Sequence, residues 1–141
     1  MRSRSDNTDI APAQGIAPAQ GASFAVERRE LDARTSVIAV TGELDLTTAP
    51  QLKWTLIDAL EEGHSSLVVD LSETTFMDST ALGVLVGVNR GLDAGARLTI
   101  VCSRASLLRI FELSGVDGMF EINATLEHAL ATPDRRAAQA S

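Results

Sequence analysis

Aromatic residues, cysteine and lysine are all scarce in this chain of 141 residues. Aromatics make up 4% of the sequence and hydrophobic residues 45%, so a folded core has to be built from aliphatic side chains, which fits an α/β sheet. The one cysteine, Cys102, cannot form a disulfide within the chain, which is compatible with a reducing compartment. Because it ends the apolar run LTIVC, we expect a buried thiol there.

Long hydrophobic runs are also missing. The segment MRSRSDNTDI lacks the apolar stretch of a secretory signal, and no window contains the roughly 18 apolar residues that a membrane helix needs. The formal net charge is -7 and the arginines are scattered, so a nucleic-acid backbone or an anionic membrane would be repelled. We therefore expect a cytoplasmic protein whose partners include neither nucleic acid nor membrane.

The sequence lacks the residue sets of the usual catalytic and metal sites. His64 and His128 are the only histidines, both expected at the surface, and no Cys/His spacing indicates zinc. Ser79 lacks the G-x-S-x-G context of a hydrolase nucleophile. Asp70 ends a predicted strand as the phospho-acceptor of a receiver domain does, but the only lysine, Lys53, lies in the first predicted helix. We expect no metal, no cofactor and no catalytic residue.

Composition divides the chain into a central domain and two tails. Residues 10–21 read IAPAQG twice, and this small, polar repeat cannot bury enough apolar area to order itself. Residues 1–22 are therefore predicted to be a disordered low-complexity tail, and residues 132–141 a flexible C-terminal tail. The domain is predicted to span residues 23–131.

Within the domain, the hydrophobic pattern predicts an α/β fold. Two β-rich segments around a turn at Asp32, Ala33 and Arg34 indicate a hairpin, and helices then alternate with strands. We predict one mixed β-sheet of four to five strands, with about four helices on one side. The predicted helices cover residues 49–62, 79–92, 105–113 and 123–130, and the later strands cover residues 66–71, 97–102 and 119–122.

The most informative segment is FMDSTALGVLVG, residues 76–87, which places Asp-Ser-Thr between a strand and a helix that contains glycine. Ser79 is predicted at or near the helix N-cap, where unpaired N–H groups and the helix dipole favour an anion. A phosphorylated Ser79 would therefore be tolerated. The alternative is that Asp78 and Ser79 only cap the helix.

The predicted helix has two different faces. Projection at 100° per residue places a core face opposite a flat outer face, and the flat face contains two glycines that weaken the helix. Either another part of the domain packs on these glycines, or a partner protein lies across them. The core face holds Ala81, Leu85, Val88 and Leu92, and the outer face holds Ser79, Gly83, Val86, Gly87 and Arg90.

FMDSTALGVLVG resembles the signature of the STAS domain of anti-sigma factor antagonists, in which an Asp-Ser-Ser/Thr-Gly-Leu-Gly run carries a phosphorylated serine. The motif is accompanied by GELD at residues 42–45, by LVVDLS at residues 67–72 and by IFELSG at residues 110–115, which is similar to a further family segment. The resemblance covers about residues 25–130. It departs from the pattern at Ala81, where many relatives have glycine.

The resemblance implies a switch with Ser79 as the phosphorylated residue. The unphosphorylated chain would bind an anti-sigma factor with serine kinase activity and so release the sigma factor, and phosphorylation would end the binding. A PP2C-type phosphatase would reset the switch, and the chain itself would catalyse nothing. The residues expected to bind the partner are Gly42, Glu43, Leu44, Asp45, Asp78, Ser79, Thr80, Gly83, Val86, Gly87 and Arg90.

Two alternatives stay open. The chain could be a STAS-type scaffold that binds a partner without phosphorylation, such as a component of a transporter complex. Trp54 projects away from the apolar side of the first helix, so its ring either packs along a neighbouring strand edge or is exposed to a partner.

Overall fold

A computed structural model describes residues 24–131 of the chain. Both predicted tails, residues 1–22 and 132–141, lie outside this range. The strands are β1 (Ala25–Glu30), β2 (Thr35–Leu44), β3 (Ser66–Met77), β4 (Arg97–Val101) and β5 (Glu121–Asn123). The helices are α1 (Ala49–Glu61), α2 (Ser79–Arg90), α3 (Ala105–Leu113) and α4 (Leu126–Ala131).

The five strands form one mixed sheet in the order β1-β2-β3-β4-β5. β1 pairs with β2 in an antiparallel hairpin, whereas β2 to β5 are parallel and are joined by helices. The hairpin turn is held by Asp32, whose carboxylate accepts hydrogen bonds from the backbone N–H groups of Arg34 and Thr35. The predicted hairpin and the predicted mixed sheet are confirmed.

Most of the core lies on one face of the sheet. There β2 and β3 present Ile38 and Val69, which pack with buried residues of α1, α2 and α3 such as Leu56 and Leu85. Alternate strand residues point to the other face, because successive side chains of a strand alternate. The main core contains the following buried residues of these helices: Ala49, Leu52, Leu56, Ala59, Ala81, Leu82, Leu85, Leu107 and Phe111.

The position of α4 differs from the prediction. Its residues Leu126 and Ala129 pack with Val37, Val68 and Val101, which belong to the opposite face of the sheet. The prediction of helices on one side is therefore correct for α1, α2 and α3 and wrong for α4. The physical reason is that strands buried on both faces need apolar cover on both sides.

Several smaller expectations can be compared with the structure. Cys102 is buried as predicted, and desolvation by burial raises the pKa of its thiol. β3 is longer than predicted, because register shifts after Ala39 and after Gly42 let its second half continue to pair with β2. Within residues 24–131, no helix has both the length and the apolar character needed to cross a membrane.

Candidate switch and docking site

The site is built where two neighbouring parallel strands end. Leu44, the last residue of β2, pairs with Met77, the last residue of β3. The backbone N–H of Asp78 then donates to the carbonyl oxygen of Leu44 at 3.1 Å. Because carboxyl ends of parallel strands lie at one edge of a sheet, the turns at Asp45 and Asp78 are brought side by side.

Asp78, and not Ser79, caps α2. The Asp78 carboxylate accepts a hydrogen bond from the backbone N–H of Ala81 at 3.0 Å, and Asp78 has the extended backbone typical of an N-cap. Ser79 is the first residue of the helix and is exposed. Within the described part of the chain its hydroxyl has no hydrogen-bond partner. The helix is therefore capped without the Ser79 hydroxyl. That hydroxyl is left exposed to solvent, where its oxygen can act as a nucleophile.

The turn at Asp45 uses its polar groups internally. The Asp45 carboxylate accepts from the backbone N–H and the hydroxyl of Thr47, at 3.0 and 2.7 Å. The Thr48 hydroxyl accepts from the Asp45 N–H and donates to the Glu43 carbonyl oxygen, at 2.8 Å each. The hydrogen bond from the Thr47 hydroxyl is the largest effect that lowers the pKa of Asp45. Thr48 stands at the N-cap of α1, but its hydroxyl braces the turn instead of capping the helix.

The outer side of α2 borders an open groove. Gly83 and Gly87 are exposed, and a Cβ atom added at either position would meet nothing within 4 Å among the described residues. The alternative that another part of this domain packs on these glycines therefore has no support within residues 24–131. Each glycine still weakens the helix by about 1 kcal/mol relative to alanine. Nothing in the described fold offsets that loss.

The α1–α2 groove, as we call it, has a volume of about 510 Å³. It runs between two helices that pack on the same face of the sheet. Thr80 is one of its lining residues and follows Ser79 directly in α2, whereas Ser79 itself is not among the lining residues. Its lining residues are Lys53, Ile57, Leu60, Thr80, Gly83, Val84, Gly87, Val88 and Gly91.

Two predicted contact residues lie inside the fold instead. Leu44 is fully buried in the core, so its side chain is not available to a partner. Gly42 is buried as well, and its φ of 95° at the register shift beside Glu43 requires glycine for the backbone path. The exposed or half-exposed members of the predicted set are Glu43, Asp45, Asp78, Ser79, Thr80, Gly83, Val86, Gly87 and Arg90. Of these, Thr80, Gly83 and Gly87 line the groove and the other six do not.

Sequence reasoning missed part of the surface beside Ser79. Leu46 in the β2–α1 turn is 70% exposed, and Phe76 near the end of β3 is 47% exposed. Trp54 is 57% exposed, which favours the exposed ring over packing along a strand edge, and the Lys53 ammonium lies 5.3 Å from the centre of the ring. The sequence carried no signal for Leu46, because its exposure depends on where β2 stops pairing with β3.

A second polar cluster lies away from Ser79, at the end of α1. His64 was expected at the surface, but only 7% of its side chain is exposed, and its Nε2 lies 3.5 Å from Glu30. Glu30, Glu62 and His64 could together hold a metal ion by their spacing. However, Arg28 already donates to Glu62 at 2.6 Å and to Glu30 at 2.8 Å, and its hydrogen bond lowers the pKa of Glu62. The cluster is therefore an ion-pair network that ties β1 to the end of α1.

The fold and the site define a small α/β domain that presents a serine hydroxyl at the start of a helix, beside an open groove. The chain belongs to the STAS domain family, since the sequence profile of that domain matches residues 26–129. It is similar to the anti-sigma-B factor antagonist of Listeria monocytogenes, at 36% identity over 102 residues, which is 71% of this chain and 89% of the relative.

Solved structures agree with this assignment. An anti-sigma factor antagonist from Mycobacterium paratuberculosis is 30% identical with a TM-score of 0.72, over 77% of this chain and 92% of that one. The Bacillus cell fate determinant SpoIIAA in its phosphorylated form is 27% identical with a TM-score of 0.61, over 75% of this chain and 96% of that one. The predicted family and fold class are confirmed.

Proposed function

We propose that this protein is an anti-sigma factor antagonist whose docking site surrounds Ser79. The observation that carries the proposal is the free, exposed hydroxyl of Ser79 on a helix that Asp78 already caps. A serine that only capped the helix would have its oxygen on a backbone N–H group. The relatives named as anti-sigma factor antagonists support the same function.

The partner in this proposal is an anti-sigma factor with serine kinase activity. The unphosphorylated chain binds it and thereby releases the sigma factor. The kinase then transfers the γ-phosphoryl group of ATP to the Ser79 oxygen, the hydroxyl proton leaves to a base of the kinase, and ADP is released. A PP2C-type phosphatase hydrolyses the phosphate ester and restores the hydroxyl. The chain is a substrate of both enzymes, needs no cofactor, catalyses no step and acts in the cytoplasm.

In this proposal, one phosphate on Ser79 decides whether the domain is bound to the partner or free. A phosphate adds a charge of roughly -1.5 to -2, and the positive end of α2 accommodates it in the free domain. In a complex, the same charge would lie under the partner and would lose its water. Glu43, Asp45 and Asp78 make this edge acidic and repel the phosphate in both states, more strongly in the complex because water no longer screens the charges. The free domain therefore tolerates the phosphate better than the complex does.

The test is a pull-down from the native host with wild-type and Ser79→Glu baits, followed by mass spectrometry and reconstitution with the purified partner. The proposal expects a kinase-type anti-sigma factor on the wild-type bait, lost with Ser79→Glu and retained with Ser79→Ala. Retention of the same proteins by wild type and Ser79→Glu would instead identify a STAS scaffold that binds without a phosphorylation switch.

A further inference from the structure

We infer that the α1–α2 groove receives an apolar α-helix of the anti-sigma factor, and that this helix carries an acidic residue that pairs with Lys53. The inference rests on the proposed function and says which part of the partner is recognised. It extends the docking site from the edge of the sheet at Ser79 along the whole of α2.

The floor of the groove has the character of a helix-docking surface. Ile57 and Leu60 of α1 and Val84 and Val88 of α2 are half-buried, so each keeps apolar surface exposed to the groove. A third helix placed against α1 and α2 would bury this surface. The ridges of side chains on one helix pack into the grooves between the ridges of its neighbours.

The glycines allow a close approach. Gly83 and Gly87 are one helical turn apart and both line the groove, so the backbone of α2 is uncovered on this side. Because no described residue lies within 4 Å of a Cβ at either position, the space is not used by the domain itself. Side chains of a partner helix could contact the α2 backbone there.

Charge indicates what the partner helix carries. Lys53 is the only lysine of a chain with a formal net charge of -7, and it stands at the groove beside the exposed ring of Trp54. Lys53 is the one charged residue among the described residues that line the groove, so a carboxylate on the partner helix would pair there. A single acidic residue opposite Lys53 would therefore set the register of an otherwise apolar helix.

The position of Thr80 connects the groove to the switch. Thr80 lines the groove and follows Ser79 directly, so a partner helix that contacts Thr80 lies one residue from the proposed phosphorylation site. Docking along the groove would bring Ser79 to the kinase, and a phosphate on Ser79 would lie near the docked helix.

The experiment compares Gly87→Leu, Gly87→Ala and Gly118→Leu in the full chain. Gly118 is the matched control, because it is also exposed and a Cβ there also meets nothing within 4 Å, but it lies in the loop between α3 and β5. The probe is the purified anti-sigma factor from the Ser79 pull-down, with affinity measured by calorimetry. Binding of the wild type tests the proposed function. The ratio of the dissociation constant of a variant to that of the wild type tests the role of the groove.

We expect Gly87→Leu to weaken binding about 30-fold or more by filling the groove, with Gly118→Leu unchanged. Lys53→Glu is expected to weaken binding about tenfold, and Lys53→Arg to retain it. Equal affinity of Gly87→Leu and wild type would overturn the inference while leaving the switch at Ser79 standing. A wild-type dimer in sedimentation velocity that Gly87→Leu dissociates would also overturn it, since the occupant would then be a second copy of the chain.

A measurement without any partner is also decisive. If the groove is free in this domain, Gly87→Ala should raise the melting temperature, by about 4 °C, because alanine stabilises a helix and meets no neighbour. A lower melting temperature would mean that the domain itself needs glycine at this position, and the inference would be wrong.

Discussion

The turns after β2 and β3 contain the same ingredients but use them differently. Each turn begins with an aspartate, continues with hydroxyl residues and leads into a helix. After β2, the Asp45 carboxylate and both threonine hydroxyls bond within the turn. After β3, the Asp78 carboxylate bonds to the helix backbone, and the Ser79 hydroxyl has no hydrogen-bond partner among the described residues.

This difference shows that a motif's composition does not decide which hydroxyl is chemically available. A hydroxyl that braces a turn would have to break its hydrogen bonds before it could accept a phosphate or contact a partner. A free hydroxyl on a capped helix has no such requirement. The turn after β2 holds its hydroxyls in hydrogen bonds, and the turn after β3 leaves the Ser79 hydroxyl exposed to solvent.

The largest expected effect tests which of the two turns contains the hydroxyl that accepts the phosphate. Incubation with the kinase-type anti-sigma factor and ATP should add one phosphate to the wild type and none to Ser79→Ala. Thr47→Ala and Thr48→Ala should be phosphorylated as the wild type is. Intact-mass spectrometry and peptide mapping make the measurement. Phosphate on Thr47 or Thr48 in the wild type would contradict the comparison.

The next effect concerns the cap of α2. Asp78→Ala removes the acceptor of the Ala81 N–H, so we expect a loss of about 1 kcal/mol in the free energy of unfolding and a melting temperature lower by about 4 °C. Asp78→Asn keeps an oxygen at the cap and serves as the matched control, with a smaller change. Thermal unfolding followed by circular dichroism measures both. Equal melting temperatures of wild type and Asp78→Ala would show that Ser79 can take over the cap.

The smallest effect is a pH dependence that belongs to the turn after β2. The pKa of Asp45 is lowered in the folded state, so the ionised carboxylate stabilises the fold above its unfolded pKa of about 3.9. This contribution is lost as the pH falls through the folded pKa. The advantage of wild type over Asp45→Asn in melting temperature should therefore be present at neutral pH and shrink in acid.

Thr47→Ala is the matched variant for this measurement. It removes the hydroxyl that donates to Asp45, which is the largest cause of the lowered pKa. Its pH dependence should fall between those of wild type and Asp45→Asn. A constant difference between wild type and Asp45→Asn across the acid range would contradict the assignment.

The elements that were predicted well are those set by local chemistry. The start of α2 was located because an aspartate and a serine before an apolar run favour a helix N-terminus. The hairpin was located because two β-rich segments flank Asp32, whose carboxylate bonds to the backbone two and three residues later. The family motif added the expectation that Ser79 is phosphorylated, whereas capping chemistry alone says only that a phosphate would be tolerated there.

The elements that were predicted wrongly depend on residues far apart in the sequence. Leu44 and Leu46 look alike in the alternating pattern GELDL, yet only Leu44 pairs with β3 and is buried. His64 lies in a loop and was expected at the surface, yet it is buried. The ion-pair network that Arg28 forms with Glu30 and Glu62, from β1 to the end of α1, lies next to it. The hydrophobic pattern of α4 did not indicate on which face of the sheet the helix packs.

By itself the sequence determined the aliphatic core, the order of strands and helices, and the Asp-Ser-Thr junction that starts α2. These follow from contacts between residues a few positions apart, which patterning and capping describe. Only the tertiary structure decided which leucine is exposed and that a groove lies beside α2. Those properties arise from the pairing of β2 with β3 and the packing of α1 on α2, which bring together residues about 30 positions apart.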